Sequence, residues 1–364
     1  MRRRILLQSA LGAAVVGPLL ANVQQNKFEA AAKILESATA SGQVSGATLY
    51  LRQGKQEDTR AFGTAKSVDA MFLLGSISKP ISVAAVMTLV DQGKLRLDDL
   101  VKKYLPEFTA DGRERVTVRQ LLTHVSGLPD QVPENQKLRS SQSGLAKFVE
   151  AAVRTPLLFP PGTQYEYSSM AILLAAEIAQ RISGTDFLEF VAQTVFEPLG
   201  MKHSAIGLGR FKLADFMPCQ TEHAAPEAGA GDPHAKEWDW NSSYWRKLGS
   251  PWGGVHASAP DVARFLGEFV QPTGKMLKPE TCRLMLTNHN PEGLTPRGLG
   301  FAIADGAGSP GCSERCFGHT GSTGTLAWAD PESDTICVVL TTLPARAVDP
   351  HPYRLVSDVV AKKR

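Results

Sequence analysis

The chain has 364 residues, of which 43% are hydrophobic and 21% charged, and its formal net charge is +3. This composition is ordinary for a globular protein, and the length is enough for one large domain or two lobes with a sizeable core. Charges of both signs alternate, and after the N-terminus no basic cluster is long enough to indicate nucleic-acid binding. We therefore expect no nucleic-acid partner.

The first 24 residues have the pattern of an export signal. Three arginines at positions 2–4 precede a mostly apolar run over 5–20, which glycine, proline and polar residues interrupt. Such a run is typical of a secretory signal rather than of a spanning helix, and the arginine pair is similar to a twin-arginine signal. The pattern predicts an exported protein, periplasmic or extracellular, with an uncleaved N-terminal membrane anchor as the alternative. No later apolar run is long enough to cross a bilayer, so we expect no other stable membrane partner.

Strand patterns lie towards both ends of the chain, and helical patterns fill the middle. The predicted strands are 46–52, 57–63, 298–304, 323–329 and 335–342. The predicted helices are 27–40, 81–90, 116–123, 144–153, 169–183, 186–196, 259–270 and 350–362.

This order predicts an α/β (α+β) fold in which both chain ends build one antiparallel sheet with flanking helices. The sheet lobe is expected over about 25–75 and 291–364, and a mostly helical lobe over about 76–290 is inserted between them. The seam between two lobes is a favoured place for an active site.

Residues 75–80, with the sequence GSISKP, carry the first chemical signal. Ser76 and Lys79 are three apart at a predicted helix start, so the hydroxyl and the amine share a face. A helix N-terminus offers free backbone N–H groups and a positive dipole end, which suit an oxyanion. An amine beside a hydroxyl in a dry site is one way to activate a serine for attack on an acyl carbon. The pattern is short, so a chance match in a serine-rich chain is the alternative. The apolar run over 81–90 predicts a buried helix directly after the motif, which favours the catalytic interpretation.

Two later segments supply partners for this pair. Residues 165–169, YEYSS, lie just ahead of a helix, and residues 317–325, FGHTGSTGT, open a strand. Together with Ser-x-x-Lys, the trio resembles the serine β-lactamase and penicillin-binding-protein superfamily, and more narrowly its class C β-lactamase-related, esterase-like branch. The resemblance runs from about residue 28 to 364 and also covers the stretches 93–99, 121–128, 197–201 and 253–258.

The resemblance implies roles for the central residues. Ser76 would be the nucleophile that becomes acylated, and Lys79 would shuttle its proton. Tyr167 would act as general base and acid, with its phenol pKa lowered by Lys79. The backbone N–H groups of Ser76 and Ser322 would form the oxyanion hole, whose loss typically costs about 10²–10³ in rate per donor.

The same resemblance places His319, Thr320 and Gly321 along the strand that would bind substrate. Two positions depart from the branch. Ser169 stands where the branch has asparagine, and a hydroxyl offers fewer donors than an amide. His319 stands where related enzymes often have lysine, and imidazole is mostly neutral at pH 7, whereas lysine would face a substrate carboxylate. Both changes favour neutral esters over β-lactams and peptide termini.

The sequence therefore predicts an exported serine hydrolase that acts on a small-molecule ester or amide, and the function it favours is that of a carboxylesterase. The alternatives are a β-lactamase or a D-alanyl-D-alanine carboxypeptidase or D-aminopeptidase, and a non-catalytic penicillin-binding-like sensor. No cofactor is expected, and the absence of CxxC and HExxH patterns leaves a metal site unsupported. The sequence does not decide the oligomeric state.

Three further features stay open at this level. The tryptophan-rich segment 224–252 is either a lid or wall of the substrate site or a surface loop packed on the core. Cys312 and Cys316 can close a small disulfide in an oxidising compartment. His124 is interpreted as a structural hydrogen-bonding residue at a helix end rather than as a base.

Overall fold

The structure is a computed structural model that describes the backbone of residues 13–362 and, with the exception of Glu227, the side chains from residue 26 to 362. Residues 1–12, which carry the arginine cluster of the predicted export signal, lie outside the described residues. In the part of the chain that is described, no helix combines the length and the apolar character needed to cross a membrane.

The helices and strands have the following bounds. The helices are α1 (Ala13–Ala40), α2 (Ser78–Asp91), α3 (Val118–Leu122), α4 (Asn135–Ser140), α5 (Leu145–Ala152), α6 (Ser169–Ser183), α7 (Phe187–Val191), α8 (Glu197–Leu199), α9 (Ser243–Leu248), α10 (Ala259–Val270), α11 (Pro279–Met285) and α12 (Pro352–Ala361). The strands are β1 (Gly46–Gln53), β2 (Gln56–Gly63), β3 (Phe72–Leu73), β4 (Ser204–Ile206), β5 (Val255–Ala257), β6 (Ala302–Ile303), β7 (Phe317–Gly321), β8 (Thr325–Asp330) and β9 (Thr335–Thr341).

Both chain ends build one antiparallel sheet, as predicted, in the order β2-β1-β9-β8-β7-β6. The central strands β8 and β9 are buried along their whole length because helices cover both faces. Side chains alternate between two cores: Leu49 and Val339 point towards α1 and α12, whereas Val338 and Leu340 point towards the helical region. This period of two matches the pattern expected of strands.

Several elements differ from the sequence predictions, and three of the differences affect the core or the active site. The strand predicted at 298–304 is reduced to β6, because Leu299 N donates to Met285 O at 2.9 Å and Gly300 N to Leu122 O at 3.0 Å instead of joining the ladder. The helix predicted at 186–196 is interrupted, since α7 continues as a π-helical turn over Ala192–Phe196. A second, three-stranded sheet in the order β3-β5-β4 was not predicted, and its strands have only two or three residues each.

Helix α2 lies at the centre of the molecule, as its apolar sequence predicted. Every residue from Ser78 to Leu89 is buried. Each of the two serines in its first turns has a hydrogen-bond partner elsewhere in the chain. Ser78 Oγ accepts from Val255 N at 3.0 Å, and Ser82 Oγ donates to Pro251 O at 2.7 Å. A buried helix with satisfied polar groups is a rigid base for whatever its N-terminus presents.

Candidate active site

Ser76 and Lys79 meet at the N-terminus of α2. A 3₁₀ turn over Gly75–Ile77 places the Ser76 side chain just ahead of the helix, and Lys79 follows in the first turn. Lys79 is fully buried, and its Nζ lies 3.1 Å from Ser76 Oγ and 3.1 Å from Trp252 O. Burial lowers the pKa of Lys79 to about 7. The charge of Asp130 acts in the opposite direction, and the charge of Arg297 lowers the pKa further. The amine is therefore partly neutral at physiological pH and able to accept a proton.

Tyr167 is the third side chain of the site, beside Ser76 and Lys79. Its phenol is hydrogen-bonded to Ser76, and Lys79 Nζ lies 4.6 Å from the centre of its ring. Burial raises the pKa of Tyr167 above its ordinary value, although the Ser76 hydrogen bond and Arg297 act in the opposite direction. The expectation that Lys79 lowers this pKa is wrong, because desolvation dominates and Lys79 is itself only partly charged. Tyr167 is a phenol, not a phenolate, at neutral pH.

The segments that carry the two amides expected to form the oxyanion hole approach each other closely at Gly75. Gly75 has φ +55, and a Cβ atom on it would lie 3.1 Å from the Ser322 backbone nitrogen. Only glycine permits this approach in the left-handed region. Thr323 Oγ1 donates to Leu73 O at 2.6 Å, which ties the β7–β8 turn to the segment before the serine. Ser76 and Ser322 line the same cleft.

His319 is neutral, as expected, but its neighbour was not foreseen. An arginine only donates, so the 2.8 Å contact from Arg297 to His319 Nε2 makes that nitrogen the acceptor. The Nδ1 proton then points at Thr320 O, 2.6 Å away. Burial, followed by the charges of Arg297 and Lys79, holds the pKa of His319 well below its ordinary value. Arg297 is 7% exposed, so a positive charge is buried directly behind the histidine.

Ser169 is also engaged by a residue that sequence reasoning missed. Its backbone N and its Oγ donate to Asp130 Oδ1 at 2.8 and 2.6 Å. Gln131 Nε2 donates to the other Asp130 oxygen at 3.3 Å. Because Ser169 is the first residue of α6, the carboxylate also faces a helix N-terminus, where negative charge is favourable. The hydroxyl of Ser169 is therefore committed within the protein.

These contacts bring every predicted catalytic residue into one place, and they add Asp130 and Arg297. Asp130 lies two residues after the matched stretch 121–128, which was the available signal. Arg297 was visible as an isolated charge in the segment 297–301, RGLGF, but nothing local connects it with His319.

The cleft in front of Ser76 has a volume of about 170 Å³. Its lining includes the polar residues Asp130, Arg139, Tyr167 and Ser169 and the tryptophans Trp240, Trp245 and Trp252. All three tryptophans are also buried in the core, at 7%, 3% and 4% exposure. The tryptophan-rich segment is thus both a wall of the cleft and a part of the core.

The remaining open features lie away from this cleft. All five cysteines are free thiols, and Cys312 is hydrogen-bonded to Cys316 without a disulfide between them. Among the described residues, no group of three or more His, Cys, Asp or Glu side chains is arranged to hold a metal ion.

Comparisons with known proteins agree with this geometry. Residues 31–361 match the sequence model of the β-lactamase family. Penicillin-binding protein 4 of Amycolatopsis lactamdurans is 29% identical over 303 residues, which cover 78% of this chain and 74% of the relative. A Salmonella enteritidis PT4 protein provisionally named D-alanyl-D-alanine carboxypeptidase is 26% identical over 318 residues, covering 76% and 70%.

Among solved structures, EstCE1, described as a hydrolase with promiscuous acyltransferase activity, superimposes with a TM-score of 0.74 at 20% identity, covering 92% of this chain and 99% of its own. This likeness shows the shared fold. With the family match spanning nearly the whole described chain, the protein belongs to the β-lactamase family of serine hydrolases, which also includes the penicillin-binding proteins.

Proposed function

We propose that this protein is an exported carboxylesterase that hydrolyses small uncharged esters through an acyl-Ser76 intermediate. The observation that carries the proposal is the pairing of Ser76 Oγ with Lys79 Nζ at 3.1 Å, where burial lowers the pKa of Lys79 to about 7. A general base works best when its pKa lies near the operating pH. Lys79 meets this condition, whereas an exposed lysine does not.

Acylation follows from these positions. Neutral Lys79 takes the proton of Ser76 as Oγ attacks the ester carbonyl carbon, and the amides of Ser76 and Ser322 stabilise the resulting oxyanion. When the intermediate collapses, the bond to the alcohol breaks and the leaving alkoxide takes a proton from the Tyr167 phenol. Lys79, now an ammonium, returns a proton to Tyr167.

Deacylation reverses the roles. A water molecule attacks the acyl-Ser76 carbonyl and passes its proton through Tyr167 to Lys79, and the collapse of the second intermediate returns a proton to Ser76 Oγ. The carboxylic acid then leaves. Each group regains its starting protonation state, so no cofactor is required by the proposal.

Three properties of the active site support a short, neutral acyl substrate. The Ser169 hydroxyl is committed to Asp130 and does not replace the amide of the branch's asparagine. His319 is neutral and uses both ring nitrogens within the protein. The cleft of about 170 Å³, lined in part by three tryptophans, leaves room for a small apolar acyl group.

A second candidate, a peptidase that recognises a substrate carboxylate, is favoured by one observation. Arg297 is a buried cation behind His319, and its Nε has no hydrogen-bond partner among the described residues. The names of the two curated relatives, a penicillin-binding protein and a carboxypeptidase, support the same candidate.

A substrate panel separates the candidates. We expect wild-type protein to hydrolyse p-nitrophenyl butyrate, to hydrolyse nitrocefin and a D-alanyl-D-alanine peptide far more slowly, and to lose ester hydrolysis and fluorophosphonate labelling in Ser76→Ala. Efficient turnover of the peptide or of nitrocefin would replace the esterase proposal with the second candidate. Equal labelling of the Ser76→Ala variant would remove Ser76 as nucleophile.

The proposed export rests on the N-terminal pattern. Fractionation of cells should place the wild-type protein outside the cytoplasm, and the double change Arg3→Lys and Arg4→Lys should retain it inside if the twin-arginine route is used. Export that persists unchanged in the double variant would argue against that route.

A further inference from the structure

His124 combines three features that its earlier interpretation as a hydrogen-bonding residue at a helix end does not explain. It lies two residues beyond α3, is fully buried, and has a backbone φ of +64. A non-glycine residue in the left-handed region is uncommon and persists where the surroundings over-determine it, often at functional sites. The contacts of His124 show what those surroundings are.

The residue binds both chain neighbours of Tyr167. Its backbone oxygen accepts from Glu166 N at 2.9 Å, and its Nδ1 accepts from Ser168 N at 3.1 Å. Its ring packs on the Tyr167 ring with a centroid separation of 4.6 Å. One side chain and one carbonyl thus contact three consecutive residues.

Tyr167 depends on such contacts because no regular structure holds it. Residues 164–168 belong to no helix or strand, and α6 begins only at Ser169. Without a ladder or a helical hydrogen bond, the phenol keeps its place relative to Ser76 only through side-chain and turn contacts.

The protonation state of His124 is consistent with this arrangement. A backbone N–H only donates, so Nδ1 accepts and the ring proton is on Nε2. Burial and the nearby Arg297 and Lys79 hold the pKa of His124 well below its ordinary value. A charged imidazole would lose the bond from Ser168 and place a second cation beside Lys79.

We infer that His124 is a positioning residue that sets the location of the Tyr167 phenol for proton transfer. It does not line the cleft in front of Ser76, so it acts through Tyr167 and not on the substrate. The inference rests on the proposed role of Tyr167 in catalysis.

A pair of variants separates positioning from bulk stability. His124→Asn and His124→Gly both tolerate a positive φ, but only asparagine keeps an acceptor at the place of Nδ1. Hydrolysis of p-nitrophenyl butyrate is measured for both, with thermal unfolding as the check on folding and Tyr167→Phe as the reference. His124→Ala, which lacks the acceptor and the ring, takes the place of the glycine variant if that variant does not fold.

We expect His124→Gly to lower kcat by about 100-fold, within the range that general acid–base catalysis supplies, while KM changes by less than about threefold. His124→Asn should recover at least about tenfold of that loss, because the bond from Ser168 N is kept. Equal losses in the two variants, or a kcat of His124→Gly within about threefold of wild type while Tyr167→Phe is inactive, would overturn the inference. Full activity of Tyr167→Phe would instead contradict the proposed function.

Discussion

Opposite charges act on Lys79 from the sheet side and from the helical side of the active site. On the sheet side, Arg297 lies behind His319 on β7, and on the helical side Asp130 lies beneath Ser169 at the start of α6. Arg297 lowers the pKa of Lys79 and Asp130 raises it, in addition to the larger effect of burial. The comparison indicates that the base strength of Lys79 is adjusted from both sides by residues that do not touch Ser76.

The largest effect should come from the lysine itself. Lys79→Arg keeps a buried cation but cannot act as a neutral base, because the guanidinium stays protonated. We expect kcat/KM for p-nitrophenyl butyrate to fall by about 10³-fold or more. Lys102→Arg, at an exposed position, is the matched control and should retain wild-type activity. A Lys79→Arg enzyme with substantial activity would mean that Lys79 is not the base.

The pH profile of activity tests the influence of Asp130, on the helical side, on the pKa of Lys79. Activity should rise as pH passes through about 7, the pKa of Lys79, because only the neutral amine accepts the serine proton. Asp130→Asn keeps an acceptor for Ser169 but removes the negative charge that favours the ammonium. The acidic limb of the kcat/KM profile should therefore move to lower pH by about half a unit to one unit. A limb that stays in place would show that Asp130 does not act on Lys79.

A change on the sheet side should move the profile in the opposite direction and by less, since Asp130 has the larger influence on the pKa of Lys79. Arg297→Gln removes a positive charge that opposes the ammonium, so the limb should move to higher pH by about half a unit. Arg297→Lys keeps the charge and should leave the limb near its wild-type position. Shifts of the same sign in the Arg297→Gln and Asp130→Asn variants would refute the opposing-charge picture.

The smallest effect should come from Ser169. Ser169→Ala removes one hydrogen bond to the Asp130 carboxylate and should lower the free energy of unfolding by about 2 kcal/mol, measured by urea denaturation. Because the hydroxyl is committed to Asp130, we expect kcat to change by less than about threefold. Ser183→Ala, at the far end of α6, removes a bond that Ser183 Oγ accepts from Thr185 N at 3.2 Å and two longer contacts, none of them with a charged group, and serves as the control. A large loss of kcat in Ser169→Ala alone would indicate direct contact with substrate.

The sequence predicted the sheet side of the molecule better than the helical side of the cleft. Strands β1, β8 and β9 lie within two residues of their predicted limits, because alternation and apolar runs are local signals. The prediction of a strand over 298–304 is largely wrong because backbone groups of this segment bond to α3 and α11. No local sequence pattern indicates these bonds. The places of Asp130, His124 and the tryptophans likewise depend on residues far away in the chain.

By itself the sequence determined which residues carry the chemistry: the spacing of Ser76 and Lys79 on a buried helix, and the segments around Tyr167 and His319. These follow from helix periodicity and from motif order, which are properties of the chain. Only the tertiary structure decided the protonation states. The pKa of Lys79 falls and that of Tyr167 rises because burial removes both from water, and Asp130 and Arg297 act on Lys79 across gaps of 51 and 218 residues in the chain. Desolvation and electrostatic interactions depend on distances in space, so the residues adjacent in the chain do not predict these pKa shifts.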